Sequence, residues 1–158
     1  MEISYAVVYR DTMDKRFLIV HPTHETYWSL PKGGMEEADG GDARNAAARE
    51  LNEETGISVE AEKLIDLGRF EYYRIGRNGK AKDKDLHIFL YPANEAKEIS
   101  SLSCTSLVET AADPFPENDD YKYISYEEID KYFGPDGARV LKSALSLEDM
   151  SGKSLFSL

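Results

Sequence analysis

Three glutamates in this 158-residue chain are spaced for chemistry. Glu50, Glu53 and Glu54 fall at i, i+3 and i+4 in a run of good helix formers from Ala43 to Glu54. On a helix, that spacing puts all three carboxylates on one face within about one turn. Like charges so placed cost roughly a few tenths of a kcal/mol per pair. They also lie toward the helix C-terminus, where the macrodipole disfavours anions. A cation would offset both penalties. Mg²⁺ takes oxygen ligands, keeps several waters and bridges carboxylates to substrate phosphates. A solvated acidic face is the plain alternative, and Arg49 can pair with Glu53 at i+4 under either reading.

Charge is distributed unevenly around this helix. Between Met35 and Glu62 there are nine acids and only two bases, Arg44 and Arg49. Further on, Arg74, Arg77, Lys80, Lys82 and Lys84 face Asp83 alone, a basic island on a chain of net charge −11. Such an island suits a polyphosphate, while a solvated hairpin tip explains it equally well. The overall acidity, 19 basic against 30 acidic residues, argues against a duplex nucleic-acid partner. It leaves room for a phosphorylated small molecule, because a local patch or a bound cation reverses the field.

Other chemistries find less support. Cys104 is the only cysteine, so no intramolecular disulfide can form, and it reads as a small hydrophobe. His21, His24 and His87 have no zinc-ligand spacing. The pairs Gly33-Gly34 and Gly40-Gly41 are not followed by the Gly-Lys-Ser/Thr of a phosphate-binding loop. No apolar run approaches the ~20 residues of a membrane span. Met1-Glu2-Ile3-Ser4 lacks a basic leader, so no signal peptide and a cytoplasmic location are expected.

The elements that must position the glutamates follow from periodicity and breakers. Strands are predicted over Ile3 to Arg10, Arg16 to His21, Leu64 to Tyr73, Leu86 to Tyr91 and Tyr121 to Ile124, with a short one at Tyr27 to Leu30. Pro31-Lys32-Gly33-Gly34 predicts a break. Asp42 is the expected N-cap of the acidic helix and Gly56 its stop. Ser100 to Asp120 reads mostly as loop. Ser125 caps a helix over Tyr126 to Phe133, with Glu128 at the capping-box position. Pro135 opens a last helix to about Leu147. One domain over 1–148, with a disordered tail over 149–158, is the expectation. Strands alternating with helices imply an α/β fold with a mixed sheet between helices.

The residues from Gly34 to Ile57, GMEEADGGDARNAAARELNEETGI, closely resemble the Nudix box. From Arg49 to Ile57 every specified position matches, and Trp28-Ser29-Leu30-Pro31-Lys32-Gly33-Gly34 resembles the usual approach to the box. One departure stands out. The pattern has 13 residues between its first Gly and its Arg, whereas 14 separate Gly34 from Arg49. Counted back from Arg49, the first box glutamate falls on Gly41, so Glu37, Asp39 or Asp42 would have to replace it.

The resemblance implies a Nudix-type α/β/α sandwich that hydrolyses a nucleoside diphosphate linked to another group, using Mg²⁺ or Mn²⁺. Carried over by position, Glu50 and Glu54 are the best metal ligands, with Glu53 next. A backbone carbonyl at Gly33 or Gly34 completes the shell, Arg49 orients Glu53, and one helix glutamate, Glu53 before Glu54, activates water. Pro116 to Tyr123 resembles the segment before the last strand of diadenosine tetraphosphate hydrolases. On that resemblance Glu117 supports catalysis and Tyr121 stacks on a base. Lys32, Arg74, Lys82 and Lys84 are candidates for phosphate and Tyr72 for the base. The expected substrate is a dinucleoside polyphosphate. A diphosphoinositol polyphosphate, an oxidised dNTP and a non-catalytic binding module are the alternatives, and the chain is expected to act as a monomer or homodimer.

Overall fold

The computed structural model describes residues 2–75, 81–109 and 112–156, the side chains of 74, 75, 81, 82 and 148–156 excepted. Among these residues eight strands and three α-helices follow in order. They are β1 (Glu2–Asp11), β2 (Phe17–Pro22), β3 (Lys32–Gly33), α1 (Ala43–Thr55), β4 (Ile65–Ile75), β5 (Ala81–Ala93), β6 (Leu107–Val108), β7 (Phe115–Pro116), β8 (Asn118–Ile124), α2 (Ile129–Tyr132) and α3 (Pro135–Phe156).

The main sheet runs β4-β5-β1-β2-β8, with β3 beside β1, and β6 and β7 form a separate ribbon. The sheet is mixed, as its sequence implies. β1 pairs in parallel with β5 from Glu2↔Lys84 to Asp11↔Ala93. The other edge of β1 is divided. Arg10↔Phe17 starts an antiparallel ladder with β2, while Tyr5 and Ala6 pair with Gly33 and Lys32. β2 therefore diverges from β1, and a cleft opens between β3 and β8.

Alternation along β1 separates two cores. Tyr5, Val7 and Tyr9 pack with Ala46, Ala47 and Leu51 of α1. Ala6 and Val8 join Ile88, Leu90 and Ile124, under Val140, Leu141 and Ala144 of α3. The result is the expected three-layer sandwich. Ala46 and Ala47 carry only methyl groups and are fully buried, which lets α1 lie close to β1.

Several boundaries shift from their sequence positions. Tyr27 to Leu30 is not a strand; it contributes one bridge, Val20↔Ser29. The break at Pro31 to Gly34 instead contains β3, because Tyr5 and Ala6 offer Lys32 and Gly33 a free ladder edge. Tyr126 to Phe133 divides into a 3₁₀ turn, capped by Ser125 and Glu128, and then α2. α3 runs to Phe156 rather than ending near Leu147, and the residues after Leu147 include no proline to stop it. Among the described residues no helix is long and apolar enough to cross a membrane.

Candidate active site

α1 begins and ends as its caps dictate. Asp42 accepts the N–H groups of Arg44 and Asn45 at 2.8 and 3.2 Å. Gly56 adopts φ 80°, a left-handed conformation that disfavours side-chain-bearing residues, and ends the helix. The last helical carbonyls, which lack partners within a helix, are all met here. Asn52 accepts from the Gly56 N–H, Glu53 from the Thr105 N–H and Thr55 from the Ser103 N–H. The carbonyl of Glu54 accepts the Tyr121 hydroxyl at 2.7 Å. These bonds quieten the negative helix end on which Glu50, Glu53 and Glu54 stand.

The three glutamates are not equivalent. Glu50 and Glu54 are buried, at 7% and 4% exposure, whereas the Glu53 side chain keeps 34%. Burial pushes the Glu50 carboxyl up to about 7, against the pull of Arg49. Burial also pushes Glu54 up, opposed by its bond from Asn118. Glu50 and Glu117 add to this repulsion at Glu54, while Lys32 relieves it.

Arg49 ties the glutamates to the loop before the helix. Its Nη1 donates to Glu50 Oε1 at 2.8 Å and to Glu53 Oε2 at 3.0 Å. Its Nη2 donates to the Gly34 carbonyl at 2.7 Å. Nε and Nη2 together grip the Asp39 carboxylate at 2.9 and 3.0 Å. Of the three acids that could replace the box glutamate, Asp39 is the one that reaches Arg49. A 3₁₀ turn over Glu37–Asp39 carries it inward, and Gly40 and Gly41, at φ 64° and 76°, return the chain to α1.

Gly33 is required for a different reason. A Cβ there would lie 2.1 Å from the Glu50 carboxyl carbon. Any other residue would displace Glu50, so the β3 backbone and the Glu50 carboxylate share one small space. At Gly34 a Cβ would meet nothing within 4 Å, and its carbonyl is already bound to Arg49, which leaves Gly33 the better candidate of the pair for a backbone ligand.

Glu54 is gripped at both oxygens. The Lys32 N–H donates to Oε2 at 2.8 Å and the Asn118 amide donates to Oε1 at 2.6 Å. Sequence reasoning missed Asn118. Its position next to Glu117 was the only signal, and an asparagine opening a strand gives no hint of a buried bond. Glu117 itself lines the cleft with Lys32, Glu54, Asn118, Tyr27 and Ser29, in a cavity of about 170 Å³. Tyr121, read as a base platform, instead buttresses α1, with its ring packed in the core under that helix.

The other substrate candidates separate. Tyr72 lines a larger apolar pocket of about 360 Å³ with Trp28, Leu30, Leu86, Phe133 and Val140. Lys84 stands opposite Tyr72 across the β4–β5 ladder but is tied to Glu2 at 3.4 Å and largely covered. The side chains of Arg74 and Lys82 lie outside the described residues, as do Arg77 and Lys80 of the basic island.

Among the described residues no three carboxylate, imidazole or thiol side chains form a ready cage for an ion. What converges is two buried carboxylates and the Gly33 backbone. Burying such carboxylates is costly unless a cation joins them. An all-oxygen set with room for water suits a hard divalent ion that retains part of its hydration.

The NUDIX domain profile matches residues 2–144. Nudix hydrolase 25 of Arabidopsis thaliana is 32% identical over 127 residues, covering 68% of this chain and 71% of that protein. An RNA pyrophosphohydrolase of Dinoroseobacter shibae is 55% identical over 38 residues, which is 24% of this chain and 22% of that relative's length. In structure, an Ap4A hydrolase from C. elegans, crystallised as a binary complex, superposes with TM-score 0.61 at 17% identity. That superposition covers 98% of this chain and 99% of the other and is a likeness of fold.

Proposed function

Since the chain belongs to the NUDIX domain family, we propose that it is a divalent-cation-dependent pyrophosphohydrolase acting on a dinucleoside polyphosphate. The observation that carries this reading is a shared wall. Tyr27, Ser29 and Lys32 line both the apolar pocket and the acidic cleft. A flat base fits between the aromatic and aliphatic walls of the first, among Trp28, Tyr72 and Leu86. Its phosphate chain then passes Lys32 and presents an anhydride to Glu50, Glu54 and Glu117.

Glu50, Glu54 and the Gly33 backbone would hold Mg²⁺ or Mn²⁺. When bound, such an ion neutralises charge on the phosphate oxygens and makes a water more acidic. Arg49 bridges Glu50 and Glu53 through Nη1 and fixes both to the loop. Glu53 is the most exposed of the three glutamates and its carboxylate is held by Arg49 Nη1, so it is best placed to take a proton from water. Glu117 lines the same cleft and serves as a second acceptor. The resemblance of Pro116 to Tyr123 to the diadenosine tetraphosphate hydrolases and the likeness of fold to an Ap4A hydrolase support a substrate with a nucleoside on each side of the phosphates.

A 5′-triphosphorylated RNA end is the second reading. The 38-residue similarity to an RNA pyrophosphohydrolase favours it, and it presents the same anhydride chemistry. The test is a substrate panel with Mg²⁺ and with Mn²⁺, its products separated by chromatography. The panel holds diadenosine tetraphosphate, 5′-triphosphorylated RNA, diphosphoinositol pentakisphosphate, oxidised dGTP and ADP-ribose. Preference for the first, yielding ATP and AMP, is the expected result. Preference for the RNA selects the second reading, and turnover of none overturns both.

A further inference from the structure

Glu54 is held by three groups from outside α1. Two come from β8: Asn118 donates its amide to Oε1, and Tyr121 donates its hydroxyl to the main-chain carbonyl. The third is the Lys32 N–H on Oε2. Asn118 and Glu54 are each only 4% exposed, so little water can substitute for the amide.

The chemistry of the donor is informative. A carboxylate oxygen has two acceptor sites. Asn118 occupies one on Oε1 and the Lys32 N–H one on Oε2, leaving one on each oxygen. A lysine or arginine at position 118 would satisfy Oε1 but would cancel the charge that attracts a cation. An aspartate would repel it. A neutral amide satisfies the oxygen, fixes the plane of the carboxylate and leaves its charge available. We propose that Asn118 is a positioning residue for divalent-cation binding, holding Glu54 so that its remaining lone pairs serve the ion. The inference rests on the reading of Glu54 as a metal ligand.

A strut that merely joins β8 to α1 would affect stability alone, so the readout is cation affinity. Mn²⁺ is titrated into the full chain without substrate and free ion is followed by electron paramagnetic resonance, with thermal melts in chelator beside it. In Asn118→Leu the Kd for Mn²⁺ rises about 10–100-fold, the usual cost of losing a partner behind a metal ligand. Asn118→Ala gives the same direction and serves if the leucine variant does not fold. Excess Mn²⁺ restores most of the turnover in either. The control is Glu54→Gln. If the parent binds Mn²⁺, Glu54→Gln weakens it, and both folded Asn118 variants stay within about twofold of the parent, this inference alone is overturned. If the parent does not bind Mn²⁺, or Glu54→Gln leaves its affinity unchanged, the ligand reading itself fails and the inference with it.

Discussion

Asp39 grips Arg49 through both carboxylate oxygens, at 2.9 and 3.0 Å, although it lies two residues ahead of the position where the sequence pattern places an acid. Gly40 and Gly41 absorb the offset by turning left-handed. The same Arg49 then reaches Glu50, Glu53 and Gly34. A carboxylate from the loop thus anchors Arg49 from two positions ahead of where the pattern places its glutamate.

Replacing Asp39 by alanine should therefore release Arg49 and loosen the glutamates. The expected cost is about 1–3 kcal/mol of stability, for a lost charged and buried partner, with a fall in kcat of about tenfold or more. Urea melts and steady-state kinetics measure the two. The pH dependence has a definite sign. The Arg49 bonds hold the Asp39 carboxyl below its ordinary value. Its contribution is present above the ordinary carboxylate range and is lost as pH falls through the lowered value. Asp39→Asn should flatten the acid limb of the stability curve and leave its shape near neutral pH unchanged.

The helix chemistry was legible because it is local. Spacing put Glu50, Glu53 and Glu54 on one face, and Asp42 and Gly56 marked the ends of α1. What was not legible depends on contacts between distant segments. Nothing in the sequence indicates that the Tyr121 hydroxyl would be taken by the Glu54 carbonyl, or that Asn118 would meet a carboxylate 64 positions earlier. β3 is not legible in the sequence because two residues have no periodicity. They pair only because β2 leaves the edge of β1 free beside them.

Divalent cations should stabilise the fold. Glu50 and Glu54 are buried carboxylates that repel each other, and a ligand bound to the native state alone stabilises it by mass action. At 100 times Kd the gain is about 2.7 kcal/mol, which for a chain of this size raises Tm by roughly 5–10 °C. Differential scanning calorimetry with and without Mg²⁺ tests this. Glu54→Gln should lose most of the increment and should lower kcat at least about 100-fold, the equivalent of a few kcal/mol of charge stabilisation. An unchanged increment would remove Glu54 from the ligand set.

Lys32 lies between pocket and cleft, so its removal should act on the phosphate chain. Lys32→Met keeps the apolar stem and the N–H bond to Glu54. It should raise KM for a tetraphosphate-bridged substrate about tenfold, the effect of one charge-assisted contact. Tyr72→Ala should instead raise KM alike for substrates of different phosphate number, because Tyr72 lines the apolar pocket and not the cleft. Equal effects of both variants across a phosphate-length series would separate neither role.

α3 fastens the outer edge of the pocket. Asp136 in its first turn accepts the Tyr73 N–H, and Arg139 one turn later donates to the Glu71 carbonyl at 3.0 Å. Both targets belong to β4, the edge strand of the sheet. The two side chains also bond each other at 2.8 Å, and together they cover backbone groups that would otherwise invite another strand. Phe133 and Val140, flanking this turn, line the pocket together with Tyr72 and Leu86. Asp136→Ala should therefore let the wall move, raising KM about threefold to tenfold while kcat stays near the parent value. Amide exchange at Tyr73 should accelerate with it. The bond from Tyr73 holds the Asp136 carboxyl below its ordinary value. In the parent the clasp is then intact above the ordinary carboxylate range and weakens as pH falls through the lowered value. A Tyr73 amide that exchanges at the parental rate in Asp136→Ala would show that the edge is closed by something other than this carboxylate.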